Sequence, residues 1–143
     1  MTLKWNDAYK VNISHVDKQH REIFEIAYQL ENLSNARLNM DHYYEINKLL
    51  EQLITYAVTH FEDEEKLMPL YPDADWEQHL REHNSLIQYL STVPSDYIYW
   101  KQAEFAKALS HFVRDWIEQH MLLTDRITFN LEPLEAIHKP SNS

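Results

Sequence analysis

Seven side chains in this sequence have the types and spacings of metal ligands. His60 and Glu64 lie four apart in HFEDEE, and His79 and His83 lie four apart in HLREH. Residues four apart on an α-helix are turned only about 40° from one another, so each pair shares a face. That face is the apolar one. His60 and Glu64 continue the series Leu50, Leu53 and Ala57, while His79 and His83 fall among Trp76, Leu80 and Ile87. A carboxylate on a core stripe must be paired, protonated or bound to a metal. No Lys or Arg obviously stands on the other stripes to pair with it, and imidazole and carboxylate together suit a metal ion. His20 precedes Phe24 by four residues and His120 follows Trp116 by four, which places one more imidazole on each of two further apolar faces. Asp125 is the awkward member. Five residues after His120, it stands about 140° around an ideal helix. To join the others it needs a π-bulge, a distorted helix end, or a sideways reach to a second metal.

Any one of these signals is weak alone. Nine histidines in 143 residues produce about half a His-x-x-x-His pair by chance. The combination is what counts, because every predicted helix puts a ligand type on its apolar face. Five imidazoles and two carboxylates are enough for two ions of coordination number about five or six, with a small bridging group. Spacing alone leaves zinc, manganese, copper and iron open. The rest of HFEDEE reads as solvated charge, with Glu62 turned outward and Asp63 and Glu65 flanking the stripe. His15, His42, His111 and His138 read as surface or rim residues.

The elements that must position these groups are helices. The chain has no glycine, although hairpins, dinucleotide folds and phosphate-cradling loops rely on its positive φ. It has no cysteine, which excludes disulfides, thiolate zinc sites and cysteine nucleophiles. Apolar residues make up 44 %, as a folded domain requires. The formal charge of −10 disfavours nucleic acid and anionic membranes as partners. Lys4, Trp5, Asn6 and Asp7 interrupt any leader-like apolar run, and no stretch is long enough to span a membrane. The expectation is a soluble, cytoplasmic protein. An N-terminal arm anchored by Trp5, Tyr9, Val11 and Ile13 precedes a first helix starting near Asp17, its N-cap. A second helix starts near Asp41 and ends by Pro69 and Pro72. Asp75 caps the third, and the fourth runs from about Ser95 to the mid-120s. Short loops between amphipathic helices predict an all-α, antiparallel four-helix bundle over residues 1–131 and a tail over 132–143.

With HVDKQH, HFEDEEKLM, HLREH and WIEQHMLLTD in this order and at these separations, the sequence resembles the hemerythrins, most closely the single-domain bacteriohemerythrins. The resemblance runs from Trp5 to about Leu131. It implies two Fe ions in a non-haem, oxo- or hydroxo-bridged site. His79, His83 and His120 would hold one iron, His20 and His60 the other, and Glu64 and Asp125 would bridge them. It further implies that O2 binds reversibly at the iron with fewer protein ligands, drawing an electron from each iron and a proton from the bridging hydroxide. Phe24, Phe61, Trp116 and Ile117 would wall a dry pocket there. The implied role is oxygen binding for carriage, storage or delivery to an oxygen-consuming protein, rather than enzymatic turnover. A di-iron redox enzyme acting on O2, peroxide or NO, or an oxygen or redox sensor, is the alternative. Two features depart from the family pattern: Pro69 comes early after the ligand segment, and the residues after Asn130 do not align.

Overall fold

The computed structural model describes residues 4–35 and 41–134. Among them every regular element is helical. The long helices are α1 (Ser14–Asn35), α2 (Tyr43–Glu65) and α3 (Trp76–Ser91), followed by a short α4 (Ser95–Trp100) and α5 (Gln102–Trp116). α5 continues without a break into a π-helical segment (Ile117–Thr124) and then α6 (Asp125–Thr128). α1 packs on α2 and α5, α2 on α3, and α3 on the π segment. His20, early in α1, meets His60, late in α2. His79, early in α3, meets Asp125 near the end of the fourth rod. Neighbouring rods are therefore antiparallel, as short connections require. One end of the bundle gathers the start of α1, the end of α2, the start of α3 and the π segment.

The apolar stripes read from the sequence form the core. Ile23, Phe24, Ala27 and Leu30 of α1 are buried with Ile46, Leu50, Leu53 and Ala57 of α2. Leu86 and Leu90 of α3 and Phe105, Leu109 and Val113 of α5 complete the interior. A second, smaller cluster joins Val11, Val16, Trp76 and Phe129, with Tyr71, Leu67 and Met68 against it. It lies between the arm, the α2–α3 connection and the chain beyond α6, and closes the end of the bundle where the histidines meet. Asp75 caps α3, its side chain accepting from the Gln78 amide at 3.0 Å, and Pro69 sits in a 3-10 turn over Met68–Leu70.

Three expectations are corrected. α1 begins at Ser14, so Asp17 lies in its first turn and is not its N-cap. The buried Asp17 carboxylate instead accepts from the backbone amides of Val11 at 2.7 Å and Asn12 at 3.1 Å. It thereby holds the arm in a turn where Asn12 has φ 66°. α2 begins two residues later than Asp41. The fourth helix is broken at Lys101, with φ −124° and ψ 44°. The break lets the Gln102 side chain accept from the His42 amide at 2.8 Å and donate to Asp41 Oδ1 at 3.1 Å, tying the start of α2 to α5. The chain replaces glycine with asparagine at the end of α6. Asn130 takes φ 65°, and the amides of Asn130 and Leu131 donate to the carbonyls of Ile127 and Arg126. These are the two bonds of a Schellman cap. Of the tail, Leu134 donates to the Leu122 carbonyl at 2.9 Å. Residues 135–143, His138 included, lie outside the described residues. No helix among the described residues is long and apolar enough to cross a membrane.

Arg126 makes the second anchor of the arm. Its buried guanidinium donates to the carbonyls of Lys10 at 2.9 Å, Ala8 at 3.3 Å and Glu132 at 2.6 Å. Replacing Asp17 with Ala leaves two amides of the arm without an acceptor. The expected loss is about 1–3 kcal/mol of unfolding free energy, read from urea melts.

Candidate metal centre

All seven candidate ligands converge at the closed end of the bundle. His60, Glu64, His79, His120 and Asp125 are 0 % exposed, and His20 and His83 are 1 % exposed. Glu64, His79, His83 and His120 each offer a ligand atom within 4.8 Å of the others, and so do His20, His60, Glu64 and Asp125. Glu64 belongs to both groups. Its Oε1 lies 3.2 Å from His79 Nε2, 3.1 Å from His83 Nε2 and 3.4 Å from His60 Nε2. Asp125 spans the two groups as well, with Oδ2 3.0 Å from His20 Nε2 and Oδ1 3.1 Å from His120 Nε2.

Asp125 reaches this position because of the π segment. Its backbone amide donates to the carbonyl of His120, five residues back. A helix bonded i to i+5 has a wider turn than an α-helix, so the fifth residue lies closer to the face of the first. The 140° mismatch of an ideal α-helix is thereby reduced.

The imidazoles are turned by partners behind them. His60 Nδ1 donates to Gln19 Oε1 at 2.8 Å, and Gln19 Nε2 donates to Asp63 at 2.7 Å. His120 Nδ1 donates to Glu82 at 2.7 Å and His83 Nδ1 to Glu65 at 3.2 Å. His79 Nδ1 stands 2.9 Å from the Thr128 hydroxyl. With Nδ1 carrying the proton, Nε2 presents a lone pair inward, as a metal ligand must. Sequence reasoning missed Gln19, Glu82 and Thr128. It also assigned Asp63 and Glu65 to solvent, whereas both accept hydrogen bonds from this outer ring. Only their places one residue from a ligand, or beside the stripe, could have signalled them. Glu62 is exposed, as expected, and so are His15 and His111, while His42 is half-buried.

The resulting cluster lacks compensation from its own atoms. His20 and His60 bring their Nε2 atoms within 3.0 Å, and His83 and His120 within 3.1 Å. Glu64 Oε2 and both Asp125 oxygens are buried with no hydrogen-bond partner. Converging lone pairs and carboxylates in a dry interior call for cations. Without one, protons must substitute. Burial would push His79 down, but Asp125 and Glu64 outweigh it and hold it up at about 9. His120 is likewise raised despite its burial, by Asp125 above all. His60 is driven by burial down to about 3, with Glu64 opposing. Burial and their mutual repulsion work against ionising Glu64 and Asp125, yet the surrounding histidines keep both below the ordinary carboxylate range.

Aromatic rings line part of the cluster. Phe61 stacks on His83, centroids 3.8 Å apart, and Trp116 stacks on His120 at 4.4 Å. Ile117 is fully buried in the core. Phe24 is buried too, but its ring contacts are with Tyr9 at 5.5 Å and Trp5 at 5.4 Å, under the arm.

A four-helix bundle with two overlapping His-carboxylate groups at one end defines a class of metal-binding bundle. The profile of the hemerythrin HHE cation binding domain matches residues 11–131, and the chain belongs to that family. It is 30 % identical to a bacteriohemerythrin of Clostridium acetobutylicum over 122 residues, covering 85 % of this chain and 95 % of the relative. A bacteriohemerythrin of Methylococcus capsulatus is 31 % identical over 126 residues, 87 % and 92 % of the two chains. One from Pseudomonas aeruginosa is 28 % identical over 121 residues, 83 % and 74 %. The family and the donor set together make this an iron-binding helical bundle.

The protonation pattern predicts how the metal-free chain responds to pH. A histidine raised from 6.5 to about 9 stabilises the fold fully below 6.5 and loses that contribution as pH rises through 9. A histidine lowered from 6.5 to about 3 destabilises it progressively as pH falls below 6.5, because only the unfolded chain then takes the proton. The thermal midpoint of the metal-free chain is expected to peak near pH 6.5 and fall on both sides. With iron bound the alkaline fall should disappear. A flat profile in the metal-free chain contradicts this account.

Proposed function

We propose that this protein binds O2 reversibly at a di-iron centre and is an oxygen-binding protein rather than an enzyme. His79, His83 and His120 would hold one iron and His20 and His60 the other, with Glu64 and Asp125 shared between the two groups. The observation that carries the reading is the unequal donor set around two shared carboxylates. One group has three imidazoles, the other two, so a coordination position is left for a ligand on the second iron. When bound, an iron pair would supply the two electrons that reversible O2 binding requires.

The chain's own residues perform three tasks. The Nδ1 partners Gln19, Glu65, Glu82 and Thr128 fix the rings so that Nε2 faces inward. Glu64 and Asp125 hold the two positions at a constant separation and offset cationic charge. Phe61, Trp116 and Ile117 exclude water, which favours release of oxygen over irreversible oxidation. Phe24, one turn beyond His20 on α1 and covered by Trp5 and Tyr9, would stand at the margin of this wall. Carboxylate-rich bundles with two Glu-x-x-His motifs activate oxygen further. Here neutral imidazoles predominate, which favours stopping at bound oxygen. The recipient on this reading is an oxygen-consuming protein, and the cytoplasm is the expected location.

The test is spectroscopic. The iron-loaded protein is reduced without air, exposed to O2 and then stripped with inert gas. A visible charge-transfer band should appear with O2 and vanish on stripping, over repeated cycles. One-way conversion to a diferric spectrum would refute reversible binding and favour a redox enzyme or sensor. Phe61→Ala should keep the band but convert severalfold faster to the diferric form, because water gains access. An unchanged conversion rate removes Phe61 from the wall.

A further inference from the structure

Away from the metal cluster, a groove runs between the N-terminal arm and α1. Ser14, Asp17, Arg21, Glu25 and Tyr28 recur at intervals of three and four, so they form one stripe of α1. The groove has two chambers. One, of about 330 Å³, is lined by Lys10, Asn12, Ser14, Asp17 and Arg21. The other, of about 210 Å³, is lined by Lys4, Trp5, Arg21, Phe24, Glu25 and Tyr28. Arg21 stands in both. The first chamber is polar and cationic, the second aromatic. The Lys10 ammonium has only Asp7 near it, at 4.0 Å. Arg21 has no carboxylate within ion-pair distance among the described residues, and its guanidinium lies 5.8 Å over the Trp5 ring. The side chains of Asn12 and Ser14 likewise have no hydrogen-bond partner among the described residues. Asp17 is the one acid of this chamber, and its two oxygens accept from the arm amides of Val11 and Asn12. In a chain of formal charge −10, two cations and two neutral donors thus converge on one space without serving the fold.

We propose that this groove binds a small aromatic anion of the nucleoside monophosphate class, its phosphate between Lys10 and Arg21 and its base against Trp5 and Tyr28. Two cations match the charge of one phosphate group. Arg21 offers a planar fork of donors to the phosphate oxygens, and the Asn12 amide and Ser14 hydroxyl add neutral donors. Side chains do the cradling, so no glycine loop is needed. At the other end Phe24 is the floor, with the Trp5 ring edge-on to it at 5.4 Å. Trp5 and Tyr28 are half-buried, which leaves ring surface on which a base can stack. Glu25 is exposed at the rim of this chamber. One of its oxygens takes only a long bond from Gln29 Nε2, at 3.4 Å, so the carboxylate is available to an exocyclic amine such as that of adenine. The α1 residues of the two chambers are centred about seven positions apart, or roughly 10 Å along the helix. A ribose spans that separation between a phosphate and a base. A free phosphate or a free base fills one chamber only. The groove uses none of the metal ligands, so the proposal is independent of the oxygen reading above.

The test is calorimetric titration of the iron-loaded full chain with adenosine 5′-monophosphate, adenosine and ribose 5-phosphate. The monophosphate should bind at least about tenfold more tightly than either fragment, because its two ends engage together. Arg21→Gln removes the cation common to both chambers and should weaken the monophosphate by about tenfold or more, as loss of a charge-assisted contact implies. Tyr28→Ala should weaken it severalfold by removing one wall of the aromatic chamber. Lys107→Gln makes the same change in net charge at an exposed position of α5 and should leave the affinity unchanged. Several results overturn the proposal. Ribose 5-phosphate binding as tightly as the monophosphate reduces the groove to an anion patch, and adenosine doing so reduces it to an apolar one. Binding that survives Arg21→Gln lies elsewhere, the metal centre included. Equal weakening by Lys107→Gln marks general charge attraction, and no heat with the monophosphate leaves the groove without this ligand.

Discussion

The constraint on which the structure depends is the burial of seven ligand-type groups at one end of a bundle. Five imidazole nitrogens and two carboxylates face one another in a space sealed from water. Their lone pairs and charges repel unless a cation or a set of protons sits among them. Every rod contributes at least one group, so packing and electrostatics act on the same residues. The apolar stripes pull the helices together, and the histidines at the ends of those stripes are carried into contact. The outer ring then decides which nitrogen of His60, His79, His83 and His120 points in. Gln19, Glu65, Glu82 and Thr128 are polar groups placed where half-buried partners can be afforded, at the boundary between core and surface.

Much of this was legible in the sequence. Helical period and ligand spacing coincide, so His60 with Glu64 and His79 with His83 are readable as pairs, and the absence of glycine excludes most other folds. The core stripes followed from the same period. Less legible were features set by contacts across the bundle. Asp17 looks like an N-cap because it precedes an apolar run, but its carboxylate serves the amides of the preceding arm. The fourth helix has no breaking residue near Lys101, and its interruption coincides with the bonds of Gln102 to His42 and Asp41 across the bundle. Asp63 and Glu65 are charged and flank the stripe, and nothing local reveals that Gln19 and His83 will come to them from other helices.

Asp125 shows the boundary between the two kinds of information. Its five-residue offset from His120 posed a definite geometric problem, and the sequence stated the remedies without choosing among them. The structure takes the π segment, in which the Asp125 amide donates to the His120 carbonyl. The lack of glycine is answered in a similar way. Asn12 and Asn130 take up the left-handed backbone, and side-chain or cap hydrogen bonds on both sides hold them there.

The order in which the ligands occur along the chain bears on how the protein matures. The first three long helices carry His20, His60, Glu64, His79 and His83, while His120 and Asp125 arrive only with the fourth rod. During synthesis, N-terminal elements collapse before later ones exist. A metal ion that meets the growing chain early finds four imidazoles and one carboxylate, a set that accepts several divalent metals readily. Selectivity for iron therefore depends on timing as well as on coordination. A cell in which zinc or copper reaches the nascent helices first would produce a correctly folded, wrongly loaded protein.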